Sequence, residues 1–170
     1  MNKNDTKKEL FAHAMSCLMN DDIATSLELL DTILDADPTD KLVLLARGSA
    51  HLKSGKAENA IADFSRAIEI DSAYAKAYHL RGLARELAGD DDAALKDFGN
   101  AIEFDSEYGA AYFSRATLLA KMGQEDSATE DMKMVAHLTN ANLESFANEN
   151  NVWRSRHMQM ETMMETDLNR

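Results

Sequence analysis

The chain has 170 residues, 45% of them apolar, and a formal net charge of −12. That length suits one domain, and that apolar content a folded one. An acidic balance with no basic cluster argues against nucleic acid, whose phosphates need Lys and Arg, and against anionic membrane surfaces.

Residues 1–6 are expected to be a frayed lead-in with no signal-peptide character. No run approaches the ~20 apolar residues of a membrane-spanning helix. A single cysteine, Cys17, cannot form an internal disulfide, so a reducing cytoplasm is the expected location. The first helix pair is predicted at about 7–20 and 23–36. Asp21 and Asp22 then put negative charge at the positive end of the second helix, and Asp90, Asp91 and Asp92 do so further on. Residues 7–40 carry −6 and residues 75–108 carry −4, which could steer a basic partner or serve solubility alone.

The centre of the chain is one unit written twice. Residues 41–74 and 75–108 align without a gap at a period of 34. Gly48 falls over Gly82, Gly55 over Gly89, Ala60 over Ala94, Phe64 over Phe98 and Ala67 over Ala101. A period of this size marks stacked repeats. The apolar positions Ala60, Ile61, Phe64, Ala67 and Ile68 recur as Ala94, Leu95, Phe98, Ala101 and Ile102, one face of an α-helix. The frame extends to residues 109–142 (Tyr112, Ala116, Gly123, Ala128, Met132, Val135) and back to residues 7–40 (Leu10, Ala14, Asp21, Ser26, Leu30, Ile33).

These positions resemble the tetratricopeptide repeat family, a helix-turn-helix unit of 34 residues. Pro38 matches the family's proline, which Ser72, Ser106 and Asn140 replace in the later copies. Arg47, Arg81 and Arg115 depart from its usual Leu. The resemblance implies an all-α right-handed superhelix of four repeats, residues 7–40, 41–74, 75–108 and 109–142.

Each departing Arg travels with an Asp sixteen residues on: Asp63, Asp97 and Asp131. In an antiparallel hairpin these sit at similar heights and are expected to pair, each pair contributing ~0.5–1 kcal/mol if exposed. An Arg ladder for a ligand is the alternative. Beyond Asn142 the period stops, and Leu143, Phe146, Trp153 and Met160 recur at roughly heptad spacing to about Glu165. The resemblance implies a capping helix here, residues 143–170, with a Met-rich tail of Met158, Met160, Met163 and Met164 that either docks or frays.

No catalytic constellation is present. The five histidines are scattered without HExxH or an i, i+4 pair, and no glycine loop could cradle a phosphate. Cys17 and His51 occupy core positions, read as an inert thiol and a satisfied packing residue. No enzyme, cofactor or metal site is expected.

The resemblance further implies that the first helix of each repeat lines a concave groove. Its lining would comprise Phe11, Met15 and Leu18; Leu42, Leu45, Ser49 and Leu52; Lys76, His79, Leu80 and Leu83; and Phe113, Thr117 and Lys121. Family members that grip the acidic C-termini of heat-shock chaperones need polar or basic residues where Phe11, Met15, Ala46 and Leu80 stand; only Lys76 fits, so that carboxylate clamp is not expected. A mostly apolar strip calls for cover. The candidates are a peptide or amphipathic helix of another protein, the chain's own tail or a second copy, or burial between neighbouring helices. The leading expectation is a non-enzymatic protein-interaction scaffold. A homo-oligomer assembled through groove or tail, and a small acidic secretion-type chaperone for aggregation-prone clients, are the alternatives.

Overall fold

The computed structural model describes the backbone of residues 3–149 and the side chains of residues 6–142. Eight helices and no strands occur among the described residues: α1 (Lys3–Met19), α2 (Ile23–Ala36), α3 (Lys41–Lys53), α4 (Ala57–Ile70), α5 (Ala75–Leu87), α6 (Asp91–Phe104), α7 (Gly109–Lys121) and α8 (Glu125–Glu149). They form four antiparallel hairpins, α1–α2 to α7–α8, each stacked on the next.

The turn chemistry explains the repetition. Each hairpin turn needs one left-handed residue, supplied by Gly55, Gly89 and Gly123 at φ 75°, 84° and 78°. Asp21 takes that conformation in the first hairpin at φ 68°, the one non-glycine at positive φ among the described residues. The carboxylates of Asp22, Asp40 and Asp90 cap α2, α3 and α6 by accepting bonds from backbone N–H groups, which fulfils the dipole expectation for Asp22 and Asp90. At the other end, Asp37, Asp71 and Asp105 accept a bond from the N–H two residues on and turn the chain out of α2, α4 and α6.

Within each central hairpin the helices touch at a glycine. A Cβ on Gly48 would lie 2.5 Å from the Phe64 ring, and one on Gly82 would lie 2.5 Å from the Phe98 ring. Phe64 and Phe98 are fully buried, as are Ala60, Ala67, Ala94 and Ala101. The repeated apolar positions are therefore core.

Two boundaries differ from the sequence reading. Helix α1 starts at Lys3 and takes in residues 3–6. That stretch has no Gly or Pro, and Asp5 stands in the first turn, where negative charge is favoured. Helix α8 does not end within the fourth repeat, residues 109–142, but runs unbroken to Glu149. The stop residue has changed: where Asp37, Asp71 and Asp105 close the earlier helices, Thr139 bonds back to the Val135 carbonyl within its own helix. Residues 143–149 thus extend α8 rather than begin a new element, and the remainder of the expected cap, 150–170, lies outside the described residues.

Candidate functional site

The first helices α1, α3, α5 and α7 touch one another in succession, whereas α2, α4, α6 and α8 touch only first helices. The side on which successive repeats come closer is the inner one, so the first helices form the concave layer. Charge sorts between the layers. The inner helices carry +1, +3, +2 and +2 (α1, α3, α5, α7), and the outer ones −3, −2, −3 and −5 (α2, α4, α6, α8). A chain of net −12 therefore folds with its cations inward and its carboxylates outward.

Most inner cations are spent on structure. Arg47, Arg81 and Arg115 each donate two bonds to Asp63, Asp97 and Asp131, at 2.6–3.0 Å. These aspartates are buried, Asp97 to 1% exposure, so the expected pairs exist and the value for exposed pairs does not apply to them. The carboxylates hold all three guanidiniums above their ordinary pKa. The Arg ladder is thereby committed to the fold. Lys53 bonds the Leu18 carbonyl and Asp21 of the preceding repeat, and Lys121 reaches Asp91. Lys8 and Lys76 stay exposed on the inner layer without an ion pair among the described residues.

The predicted lining divides by depth. Leu45 is 5% exposed within the core cluster, so it is not available to a ligand. His79 is also buried. Its Nδ1 lies 3.1 Å from the Tyr108 hydroxyl and its Nε2 lies 2.9 Å from Ser114 Oγ. Burial pushes its pKa down to about 4, so it stands neutral and ties α5 to α7. Phe11, Met15, Leu18, Ser49, Leu52, Leu80 and Leu83 are half-buried between neighbouring helices, while Lys76, Thr117 and Lys121 are exposed. Ser49 and Thr117 turn their hydroxyls back onto carbonyls of their own helices, at 2.8 and 2.9 Å.

What remains open is a zigzag of apolar side chains. Met19 is 82% exposed, Leu42 57%, Leu87 52% and Phe113 53%. Met19 and Leu87 sit at the C-terminal ends of α1 and α5, and Leu42 and Phe113 near the N-terminal ends of α3 and α7. Met19 and Leu87 are not among the lining residues expected from sequence. Their signal was the alternation Met19, Lys53, Leu87, Lys121 at one repeat position, where every second residue is a lysine drawn away to an aspartate.

His51 is not the satisfied packing residue expected. Its Nδ1 is buried with no hydrogen-bond partner, its Nε2 lies 4.0 Å from Asp63, and burial lowers its pKa. Cys17 is buried in the first repeat. Among the described residues no group of three or more His, Cys, Asp or Glu could hold a metal ion, and no helix is long and apolar enough to cross a membrane.

Paired helices in register, an inner layer of first helices and a glycine at each later turn define an α-solenoid. The tetratricopeptide repeat pattern matches residues 48–89. That stretch is a tetratricopeptide repeat, and the chain as described has the fold of a tetratricopeptide repeat solenoid. It is 33% identical over 74 residues to the rice (Oryza sativa subsp. japonica) SGT1 homolog, covering 44% of this chain and 20% of that one. It therefore spans about a fifth of that relative's length. The crystal structure of MamA superposes with a TM-score of 0.74 at 21% identity, over 84% of this chain and 83% of that one. The first repeat domain of Spaghetti (RPAP3), bound to the HSP90 peptide SRMEEVD, gives 0.65 at 21% identity, over 69% and 93%. Its second repeat domain, bound to the same peptide, gives 0.55 at 31% identity, over 58% and 91%.

Proposed function

We propose that the protein is a non-enzymatic protein-interaction scaffold whose concave face receives the apolar side of a peptide or amphipathic helix. The observation that carries this reading is the zigzag of Met19, Leu42 and Leu87, three large apolar side chains more than half exposed on one layer. A helix lying in the groove, about 10–12 Å across, would meet both rims of such a surface. An acidic C-terminal peptide of the kind held by the Spaghetti domains fits less well. Arg47, Arg81 and Arg115 are occupied by aspartates, and Phe11, Met15, Ala46 and Leu80 bring no charge to the inner face.

The test is selection from a displayed library of 16-residue peptides, followed by binding to a Met19→Glu/Leu42→Glu/Leu87→Glu variant. The three side chains are exposed, so the variant keeps its circular dichroism. Selected peptides should share apolar residues at i, i+3, i+4 and i+7, and should lose binding at least about tenfold to the variant, which is ~1.4 kcal/mol. Peptides that bind the variant equally well would refute the groove reading. Sedimentation of both proteins over a dilution series separates a peptide site from a self-association surface.

A further inference from the structure

The three arginine pairs are alike on one edge of the guanidinium and graded on the other. Arg47, Arg81 and Arg115 spend Nε and Nη2 on Asp63, Asp97 and Asp131. The remaining nitrogen, Nη1, reaches back across the repeat boundary to the residue sixteen positions earlier. Arg47 donates through it to Asp31 at 2.6 Å, and Arg81 to Ser65 at 3.2 Å. For Arg115 that position is Gly99, which has no side chain to accept a bond. A Cβ there would lie 3.8 Å from Nη1, so the nitrogen stands beside the space a side chain would fill. Among the described residues Arg115 Nη1 has no hydrogen-bond partner.

The same guanidinium lines a groove. Helices α6 and α8 do not touch, so an open channel lies between them with α7 as its floor. Its volume is about 400 Å³, and it is lined by Leu95 of α6, Arg115 and Leu119 of α7, and Ser127, Glu130 and Asp131 of α8. Leu95 and Gly99 are one helical turn apart on the same wall. A second groove, about 440 Å³, lies beside Arg47 between α2 and α4, but there Asp31 already occupies Nη1. The walls of the Arg115 groove are acidic, α6 carrying −3 and α8 −5. An open guanidinium edge, two leucines and an acidic rim have a definite complement.

We propose that this groove is an interaction site on the outer face for a basic protein segment that inserts one acidic side chain against Arg115. The inserted carboxylate takes the place that Asp31 has beside Arg47, accepting from Nη1 while Asp131 keeps Nε and Nη2. Its methylene stem lies on Leu95 and Leu119. Two carboxylates on one arginine are already accommodated in this fold, because Arg47 pairs with both Asp31 and Asp63. A carboxylate is preferred to a neutral oxygen because its bond to a guanidinium is charge-assisted and shorter, as Asp31 and Ser65 show. The remainder of the segment is basic because α6 and α8 repel an acidic one. This surface lies on the opposite side from the inner layer, so the proposal stands whether or not the concave face binds a peptide.

The experiment uses the full chain and a displayed library of Lys- and Arg-rich 12-residue peptides with one fixed central Glu, selected on the wild type. Gly99→Asp is the blocking variant, since it supplies the missing acceptor from within and leaves the buried pairs intact. Selected peptides should bind Gly99→Asp at least about tenfold more weakly, and should lose as much when their Glu is changed to Gln. Both changes favour a basic peptide by simple attraction, so a loss reports the Arg115 contact itself. In nitrogen-15 spectra the Arg115 Nε–H signal should move with the Glu peptide and stay still with the Gln peptide. The Met19→Glu/Leu42→Glu/Leu87→Glu variant should bind these peptides at least as tightly as the wild type, which separates this site from the inner one. Peptides that bind Gly99→Asp equally well, or that tolerate the change to Gln, would overturn the proposal. A library from which no peptide is enriched would overturn it too.

Discussion

Replacing Gly82 with alanine places a methyl group where the Phe98 ring already stands. The added Cβ would lie 2.5 Å from Cε1, 2.7 Å from Cδ1 and 3.2 Å from Cζ. Ordinary carbon contacts begin near 3.5 Å, so ring and helix must separate by about 1 Å. Phe98 is fully buried and has no free space to enter. Overpacking of this kind costs about 1–3 kcal/mol, against which alanine recovers about 0.8–1 kcal/mol of helix propensity. The net expectation for Gly82→Ala is a loss of up to about 2 kcal/mol. Gly99, also within a helix of the third repeat, provides the control. A Cβ there meets only Arg115 Nη1 at 3.8 Å, so Gly99→Ala should gain most of the same ~0.8 kcal/mol. Urea denaturation followed by circular dichroism measures both, and adding Phe98→Leu should restore part of the Gly82→Ala loss. Equal effects of the two alanines, or a stabilised Gly82→Ala, would refute the claim that glycine sets the helix approach.

Three further outcomes follow from the buried polar groups and the turns. Arg81→Met leaves the Asp97 carboxylate with Arg85 alone, and should cost about 3 kcal/mol, while Arg81→Met/Asp97→Leu should recover most of it; urea midpoints of the single and double variants decide. His79 has a folded pKa of about 4, below the unfolded value near 6.5, so its contribution is complete above pH 6.5 and is lost as pH falls towards 4. Between pH 6.5 and 4.5 the wild type should lose about 2 kcal/mol more than His79→Gln, and parallel pH profiles from the two proteins would contradict this. Asp21→Gly relieves a left-handed residue and gives up only an exposed pair with Lys53, so melting should show a gain of about 0.5 kcal/mol.

The hairpins were legible because their signals are local and repeated. The aligned letters are also contacts within each hairpin, Gly48 against Phe64 and Gly82 against Phe98. The Arg–Asp pairs were legible for the same reason, since a fixed separation of sixteen residues maps onto a fixed height in the hairpin. Depth was not legible. One repeat position holds Leu45, His79 and Phe113, yet the first two are buried and the last is more than half exposed. Burial at that position depends on whether another repeat follows, which a position within the repeat does not encode. The sorting of charge between layers was hidden by the total, because aspartates of the outer helices and turns outnumber the inner cations. Helix α8 overran its expected stop through a single exchange, Asp to Thr139, which lost the side-chain acceptor that turns the earlier chains outward.

The claim that the inner layer is the binding surface is tested most directly by methyl NMR of the protein with a selected apolar-faced helical peptide. The account predicts the largest shift changes at Met19, Leu42 and Leu87, with Ile70 and Ile102 on the outer helices unmoved. Changes confined to the outer helices, with the three inner methyls still, would contradict it.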